Sequence, residues 1–254
     1  MQQTEQTAIV LRSANYRDND RMLTLFSPTR GRLEVLSRGC RRPRSPLLAA
    51  SEVFALGDFE LYTKGNHLSL VGARLIETFY PLRNDFDRLA CGTYLLNLCE
   101  EAIQPGQNAQ ELFMLLLHTL SRLTFSDQAW RPLLSGFLLH YSGIEGFKPR
   151  LNHCIRCGRA FADEEDAFFD ADGGLCCDAC HRRDLAEDAL RRIPQIHRFP
   201  VSAAQCRWMR HALTVGSSRW LDTEDAPAPY PLLRRYVETR LDAPVRSASM
   251  LPKD

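Results

Sequence analysis

HCIRCGRAFADEEDAFFDADGGLCCDACH, residues 153–181, carries five of the chain's nine cysteines. Cys154 and Cys157 form one C-x-x-C pair, Cys177 and Cys180 a second, with roughly nineteen residues between them. That is the spacing of a zinc site. Each pair puts two sulfurs on one tight turn, within reach of a shared metal at ~2.3 Å. Four thiolates complete a tetrahedron and leave no position for water, so the spacing predicts structural rather than catalytic Zn2+. Gly158 follows the first pair, where a knuckle turn favours φ > 0, and Gly173-Gly174 suit a hairpin turn ahead of the second. Two disulfides, or thiols that bind nothing, are the competing readings. Cys176 is an alternative to Cys177, but Cys176 to Cys180 is a C-x3-C spacing and Cys177 keeps the tighter pair. His153 and His181 flank the site, as neighbours, phosphate contacts or substitutes for a sulfur.

Around this module the chain is ordinary. It has 254 residues, room for two or three small domains. Hydrophobic residues make up 44% and charged residues 25%, a globular balance. The formal net charge of +1 excludes a uniformly basic protein, so any nucleic-acid contact must come from local patches. Cys40, Cys91, Cys99 and Cys206 are scattered and imply no disulfide framework. The opening MQQTEQTAIVLRS has no basic-then-apolar leader pattern. No apolar run approaches the ~18–20 residues that span a bilayer. The expectation is a reduced, cytoplasmic protein with no membrane role.

Upstream, residues 5–80 read as β-structure, with a weak alternation over Thr7–Arg12. Thr7–Arg12, Arg21–Phe26, Arg32–Ser37, Val53–Tyr62 and Leu68–Ile76 are five short runs joined by the polar turns SANYRDND, SPTRG and KGNH and by a longer loop. Five strands in so short a stretch suit a small barrel of the oligonucleotide-binding (OB) type. The longer loop is SRGCRRPRS. Arg38, Arg41, Arg42 and Arg44 fall within seven residues, and no acid lies between Glu34 and Glu52. Arg30 and Arg32 extend the cluster. Pro43 and Pro46 prevent regular structure there. Guanidiniums beside a barrel face can track phosphates; a solvated loop is the plainer reading. Tyr16, Phe54, Phe59 and Tyr62 are candidate base-stacking surfaces, but such residues are more often core and none is claimed alone.

From Asn84 the period becomes helical. Asn84 or Asp85 can cap a first helix, Ala109–Phe125 reads as a second, and Ser126 or Asp127 can cap a third running to Tyr141 or Ser142. His118 and His140 lie on apolar faces and read as core histidines. Lys148 and Arg150 are further phosphate candidates, as are His181, Arg182, Arg183, Arg191 and Arg192 beyond the cysteines. Ser202–Val215 and Pro231–Leu241 are expected as two later helices, and the tail SASMLPKD as partly disordered.

Together these pieces resemble the RecO family, the bacterial recombination mediators. TAIVLRSANYRDNDRMLTLFSPTRGRLEVLSRGCRRPRS looks like that family's opening, PRLNHCIRCGR with GGLCCDACH like its metal motif, and PLLRRYVETRLDAPVRSASML like its C-terminal helix and tail. Cys40 departs from the small residue common there, and Cys176 from an apolar one. The resemblance implies an α+β protein: a five-stranded OB barrel over 1–80 that binds DNA, a helical domain over 81–150 and 183–254, and a zinc-binding module inserted at 151–182. It implies metal ligands Cys154, Cys157, Cys177 and Cys180, and a DNA-binding loop of Arg38, Arg41, Arg42 and Arg44. It further implies binding of single- and double-stranded DNA, annealing of complementary strands, contact with the acidic C-terminal tail of single-strand-binding protein, and RecA loading together with RecR at the nucleoid.

The chain has no Walker A loop, no G-x-S-x-G and no H-E-x-x-H, so a non-enzymatic role is expected. The alternative is a non-catalytic, zinc-containing interaction scaffold in which DNA contact is incidental. Its apolar groove would be built on Phe113, Leu116, Leu120, Phe137 and Leu138.

Overall fold

The computed structural model describes residues 2–65, 67–191, 198–215, 228–241 and 244–252. Two compact units are present, Met1–Ser126 with Val245–Lys253, and Asp127–Pro244.

In the first unit β1 (Gln2–Tyr16), β2 (Asp20–Ser27), β3 (Gly31–Ser37), β4 (Leu56–Lys64) and β5 (His67–Glu77) close a barrel in the order β1-β2-β3-β5-β4. Every pairing is antiparallel except β3 with β5. This is the five-stranded barrel the alternation predicts. Side chains on a strand alternate between faces, and Ala8, Val10, Leu23, Leu25, Leu33, Val35, Phe59 and Leu61 fill the interior.

Two strands differ from their sequence limits. β1 is far longer than Thr7–Arg12 because it serves two partners: Gln2–Ile9 pair with β4, and Ile9–Tyr16 pair with β2. Its polar ends are held by ladder hydrogen bonds rather than by burial. β4 starts at Leu56 rather than Val53, because Phe54 takes φ +75° and leaves the ladder. Its N–H donates to Val10 O at 3.0 Å, where β1 is irregular.

The same unit holds α1 (Phe86–Ala102) and α2 (Gln110–Phe125). Asp85 caps α1 by accepting from Arg88 N at 3.1 Å. Arg88 in turn donates to Leu123 O and Ser126 O at the end of α2, at 2.6 and 2.8 Å. The barrel meets α2 through Phe26 and Phe113, edge to face with centroids 5.2 Å apart. The tail is ordered where described: Val245, Ser247 and Leu251 are buried, and Arg246 lies 3.9 Å from the buried Glu100, which also pairs with Arg12 at 3.1 Å. Of the tail expected as partly disordered, residues 247–252 dock on this unit through Ser247 and Leu251, and 253–254 lie outside the described residues.

The second unit packs α3 (Trp130–Ile144) against α5 (Ala203–Thr214) and α6 (Tyr230–Glu238). Neither Ser126 nor Asp127 caps α3. It begins later, after the extended residue Ala129, with no side-chain cap. Ser202 and Gln205 form a capping box at α5. His140 Nε2 lies 2.8 Å from Ala212 O, joining α3 to α5, and burial lowers its pKa. β6 (Ala167–Asp170), β7 (Gly174–Cys176) and β8 (Arg198–Val201) form a small sheet in the order β7-β6-β8, and α4 (Asp178–Arg191) follows β7.

Phe113, Leu116, Leu120, Phe137 and Leu138 are all buried, and they divide between the two units. The groove drawn on them is thus core rather than surface, because their apolar spacing marks the packed faces of α2 and α3. No helix among the described residues is long and apolar enough to cross a membrane.

Candidate metal centre and candidate nucleic-acid interface

The two cysteine turns are brought together by main-chain bonds. Arg150 N donates to Gly173 O at 3.0 Å, Leu175 N to Arg150 O at 2.9 Å, and Ile155 N to Leu175 O at 2.9 Å. These bonds lay residues 150–155 along β7. The first turn closes through Gly158 N to Cys154 O at 2.9 Å, with Gly158 at φ +76°. The second pair straddles the join of β7 and α4, with Cys180 in the first turn of that helix.

The sulfurs of Cys154, Cys157, Cys177 and Cys180 all lie within 4.8 Å of one another, so the four can hold a metal ion. Cys157 and Cys177 Sγ are 3.9 Å apart; a tetrahedron with ~2.3 Å arms has edges of about 3.8 Å. The electrostatics fit a dication. Burial pushes the Cys154 thiol up, but N–H groups of Cys157, Cys177 and Arg156 outweigh it and hold the pKa at about 6. Cys180 is pushed up to about 12, by burial first and then by its sulfur neighbours. Four packed thiols cannot all ionise against one another unless a cation sits among them. Arg183 Nη2 reaches Cys180 Sγ at 3.9 Å, and Arg159 reaches Cys177 while pairing with Glu165, so guanidiniums offset the thiolate charge from outside.

Cys176 is not one of the four. It is fully buried, its S–H donates to Cys177 O at 3.5 Å, and burial raises its pKa to about 12. It packs beside the cluster, against Cys154, Cys177 and Cys180. His153 is exposed, and His181 stacks on Phe168 with centroids 3.7 Å apart; neither is in the cluster.

The arginine loop folds as consecutive tight turns: Arg42 N to Gly39 O at 3.1 Å, Ser45 N to Arg42 O at 3.0 Å, and Leu48 N to Ser45 O at 3.2 Å. It is tied to the β1–β2 turn. Gly39 N donates to Asp20 Oδ1 at 2.8 Å, Arg41 N to Asn19 O at 3.0 Å, and Arg41 Nη1 to Asp18 O at 3.1 Å. Cys40 is fully buried beneath it as an anchor. Arg38, Arg41, Arg42 and Arg44 are all exposed, and none is ion-paired among the described residues.

The same tie brings in a residue the sequence reading passed over. Arg17, in the β1–β2 turn, is exposed and lies 5.1 Å from the ring of Tyr16, itself 40% exposed. An exposed aromatic next to an arginine at a strand end was the available signal. Phe54 and Phe59 are buried and offer no stacking surface, and Tyr62 is half-buried. Arg30 and Arg32 lie at the start of β3 and the arginine loop at its end. At ~3.3 Å per residue these are roughly 20 Å apart, so they are separate features of the barrel. Around Arg30 the β2–β3 turn is bound by Gly106 N to Arg30 O and Ala109 N to Pro28 O, both 2.9 Å. Arg182 and Arg183 are exposed on α4 and engage Asp178 and Asp184; the Arg191 side chain and Arg192 lie outside the described residues.

Comparison with known proteins gives two family matches, which divide after the barrel. The family model described as recombination protein O N terminal matches residues 1–79, and that described as recombination protein O C terminal matches residues 83–248. A DNA repair protein RecO of Alkaliphilus metalliredigens is 36% identical over 69% of this chain and 71% of its own length. That of Symbiobacterium thermophilum is 31% identical over 72% of each. That of Desulforamulus reducens is 28% identical over 97% of this chain and 93% of its own. On these matches the chain belongs to the RecO family of DNA repair proteins.

Proposed function

We propose that this chain is a non-catalytic DNA mediator. In this reading it binds single- and double-stranded DNA, anneals complementary strands, engages the acidic tail of single-strand-binding protein, and with RecR promotes RecA loading, acting at the nucleoid in the cytoplasm. The carrying observation is the arginine loop: four exposed guanidiniums without carboxylate partners among the described residues, fixed to a barrel end beside Tyr16 and Arg17.

The physics is counterion release. Each guanidinium that neutralises a phosphate frees condensed cations, so binding weakens steeply with salt. Two strands held against one cationic surface repel each other less and lose part of the entropic cost of meeting. Annealing then needs no covalent step. Zn2+, held by Cys154, Cys157, Cys177 and Cys180, would be structural, since four protein ligands leave no open position. For the acidic tail, a cleft of about 510 Å³ in the second unit offers an apolar floor with a basic rim. Arg235 stands 4.8 Å from the Phe199 ring and Arg240 3.8 Å from the Tyr236 ring.

The test is annealing of complementary oligonucleotides coated with single-strand-binding protein across a salt series, for wild type and Arg41→Glu/Arg42→Glu. Acceleration that collapses with salt and with the substitutions is expected. Acceleration insensitive to both overturns the reading. No acceleration with intact binding to single-strand-binding protein moves the assignment to a scaffold.

A further inference from the structure

The second unit carries a cationic cleft that the arginine loop does not explain. Its volume is about 770 Å³. One wall is the segment 148–158, with Lys148, Arg150 and Arg156; the other is the C-terminal half of α5, with Arg210, Leu213 and Thr214. Arg210 is braced by donating Nε to Leu151 O at 2.9 Å, and its Nη2 is buried with no hydrogen-bond partner among the described residues. Two of the four cations are partly compensated, Arg156 by Asp184 at 3.2 Å and Arg210 by Asp163 at 3.8 Å. Lys148 and Arg150 are exposed, have no carboxylate within ion-pair distance among the described residues, and flank the buried Pro149, which restricts the backbone between them.

The thiolate cluster does not account for this charge. Cys154 and Cys157 are part of the cleft's lining, but among the described residues the guanidiniums that reach the cluster's sulfurs are those of Arg159 and Arg183, which do not line it. Nor does the lining suit an acidic peptide with a large apolar anchor, because its one ring is the polar imidazole of His153 and it contains no Phe, Tyr or Trp. Cations on two walls over a floor of Leu151, Ile155 and Leu213 match a chain whose charge repeats along its backbone and whose sugars and bases are apolar on their faces.

We propose that the cleft bounded by Lys148, Arg150, Arg156 and Arg210 is a second nucleic-acid site, which holds the sugar-phosphate backbone of single-stranded DNA. This deepens the DNA-binding reading and rests on it. It gives each unit its own strand-holding surface.

The test uses the full-length, zinc-loaded chain and a fluorescein-labelled oligothymidylate, with anisotropy read across a salt series. Four proteins are compared: wild type, Arg41→Glu/Arg42→Glu, Lys148→Glu/Arg150→Glu, and all four substitutions together. Each single-strand phosphate contact contributes ~0.7 to the slope of log affinity against log salt. The cleft substitutions should lower that slope by about 1.4 in both the wild-type and the loop-substituted background. Lys148→Gln/Arg150→Gln, which removes charge without reversing it, should lower it as well, with zinc content unchanged. An unchanged slope overturns the proposal. So does an equal loss from Arg182→Glu/Arg207→Glu, since net charge alone would then be responsible. If the cleft variant instead loses a labelled oligoglutamate while keeping its DNA slope, the cleft belongs to an acidic protein partner and the proposal fails. A slope lowered by the cleft but not by the loop substitutions supports the cleft and overturns the loop. No DNA binding by wild type overturns both.

Discussion

The side chain of Arg198 is fully buried in the second unit, and its Nε donates to Asp170 Oδ2 at 2.6 Å. Its Nη2 also reaches Asp184 at 2.7 Å, so one guanidinium on β8 ties β6 to α4. Removing one partner of such a buried pair leaves an uncompensated charge and costs about 3–5 kcal/mol. Arg198 keeps Asp184 when Asp170 is neutralised, so Asp170→Asn should destabilise this unit by less than that, about 1–3 kcal/mol, in chemical denaturation. A loss within ordinary surface range would show that the pair contributes little.

Asp184 makes the same network sensitive to acid. Burial works to raise its pKa, but hydrogen bonding and charge from Arg198, with Arg156, outweigh it and hold the carboxyl below its usual range. A depressed folded pKa means stability that is present above the unfolded value, about 3.9, and is lost as pH falls through the folded one. The melting temperature of wild type should fall below about pH 4. Asp184→Asn should be less stable at neutral pH and decline less on acidification. Parallel pH curves for the two proteins would refute the linkage.

Cys176 and Cys177 are neighbours in sequence with opposite expected phenotypes. Cys177→Ser removes a member of the sulfur cluster and should abolish stoichiometric zinc in the purified protein. Cys176→Ser should retain it, at a modest cost from placing a hydroxyl in a buried site. Metal analysis, together with limited proteolysis of residues 153–181, reads both. Zinc that survives Cys177→Ser but not Cys176→Ser would exchange the two roles.

The ends of β3 should behave differently toward DNA. Arg41→Glu/Arg42→Glu should reduce the single-strand salt slope by about 1.4, from ~0.7 per contact. Arg30→Glu/Arg32→Glu should reduce it less, because these residues lie at the far end of the strand and the β2–β3 turn is occupied by main-chain bonds to 106–109. Equal losses would mean that the bound strand runs the length of β3.

Phe113 tests the packing of the barrel on α2. It is buried edge to face on Phe26, so Phe113→Ala should cost about 3–5 kcal/mol in denaturant unfolding. A cost below about 1 kcal/mol would mean that the helix is not held to the barrel by this pair.

What could be read before folding was local. The C-x-x-C spacing, the alternation of β3, the Ser202 cap and the left-handed Gly158 each depend on a few adjacent residues. The limits of β1 and β4, the late start of α3 and the ordered tail did not follow, because they depend on partners distant in the chain. Gln2 to Glu5 carry no strand signal until β4 supplies the ladder, and Val245 and Leu251 have no periodicity until a surface receives them.

The sequence by itself determined that there is a small barrel, that helices follow, that four sulfurs are available to one metal and that arginines crowd one loop. Tertiary structure decided which charges act together. It joined Arg17 to Arg41 through the carbonyls of Asp18 and Asn19, separated Arg30 and Arg32 by the length of a strand, and brought Arg210 opposite Lys148 across a cleft. Periodicity depends on bonded neighbours, whereas a shared electrostatic surface depends on distances through space, which only the closed fold supplies.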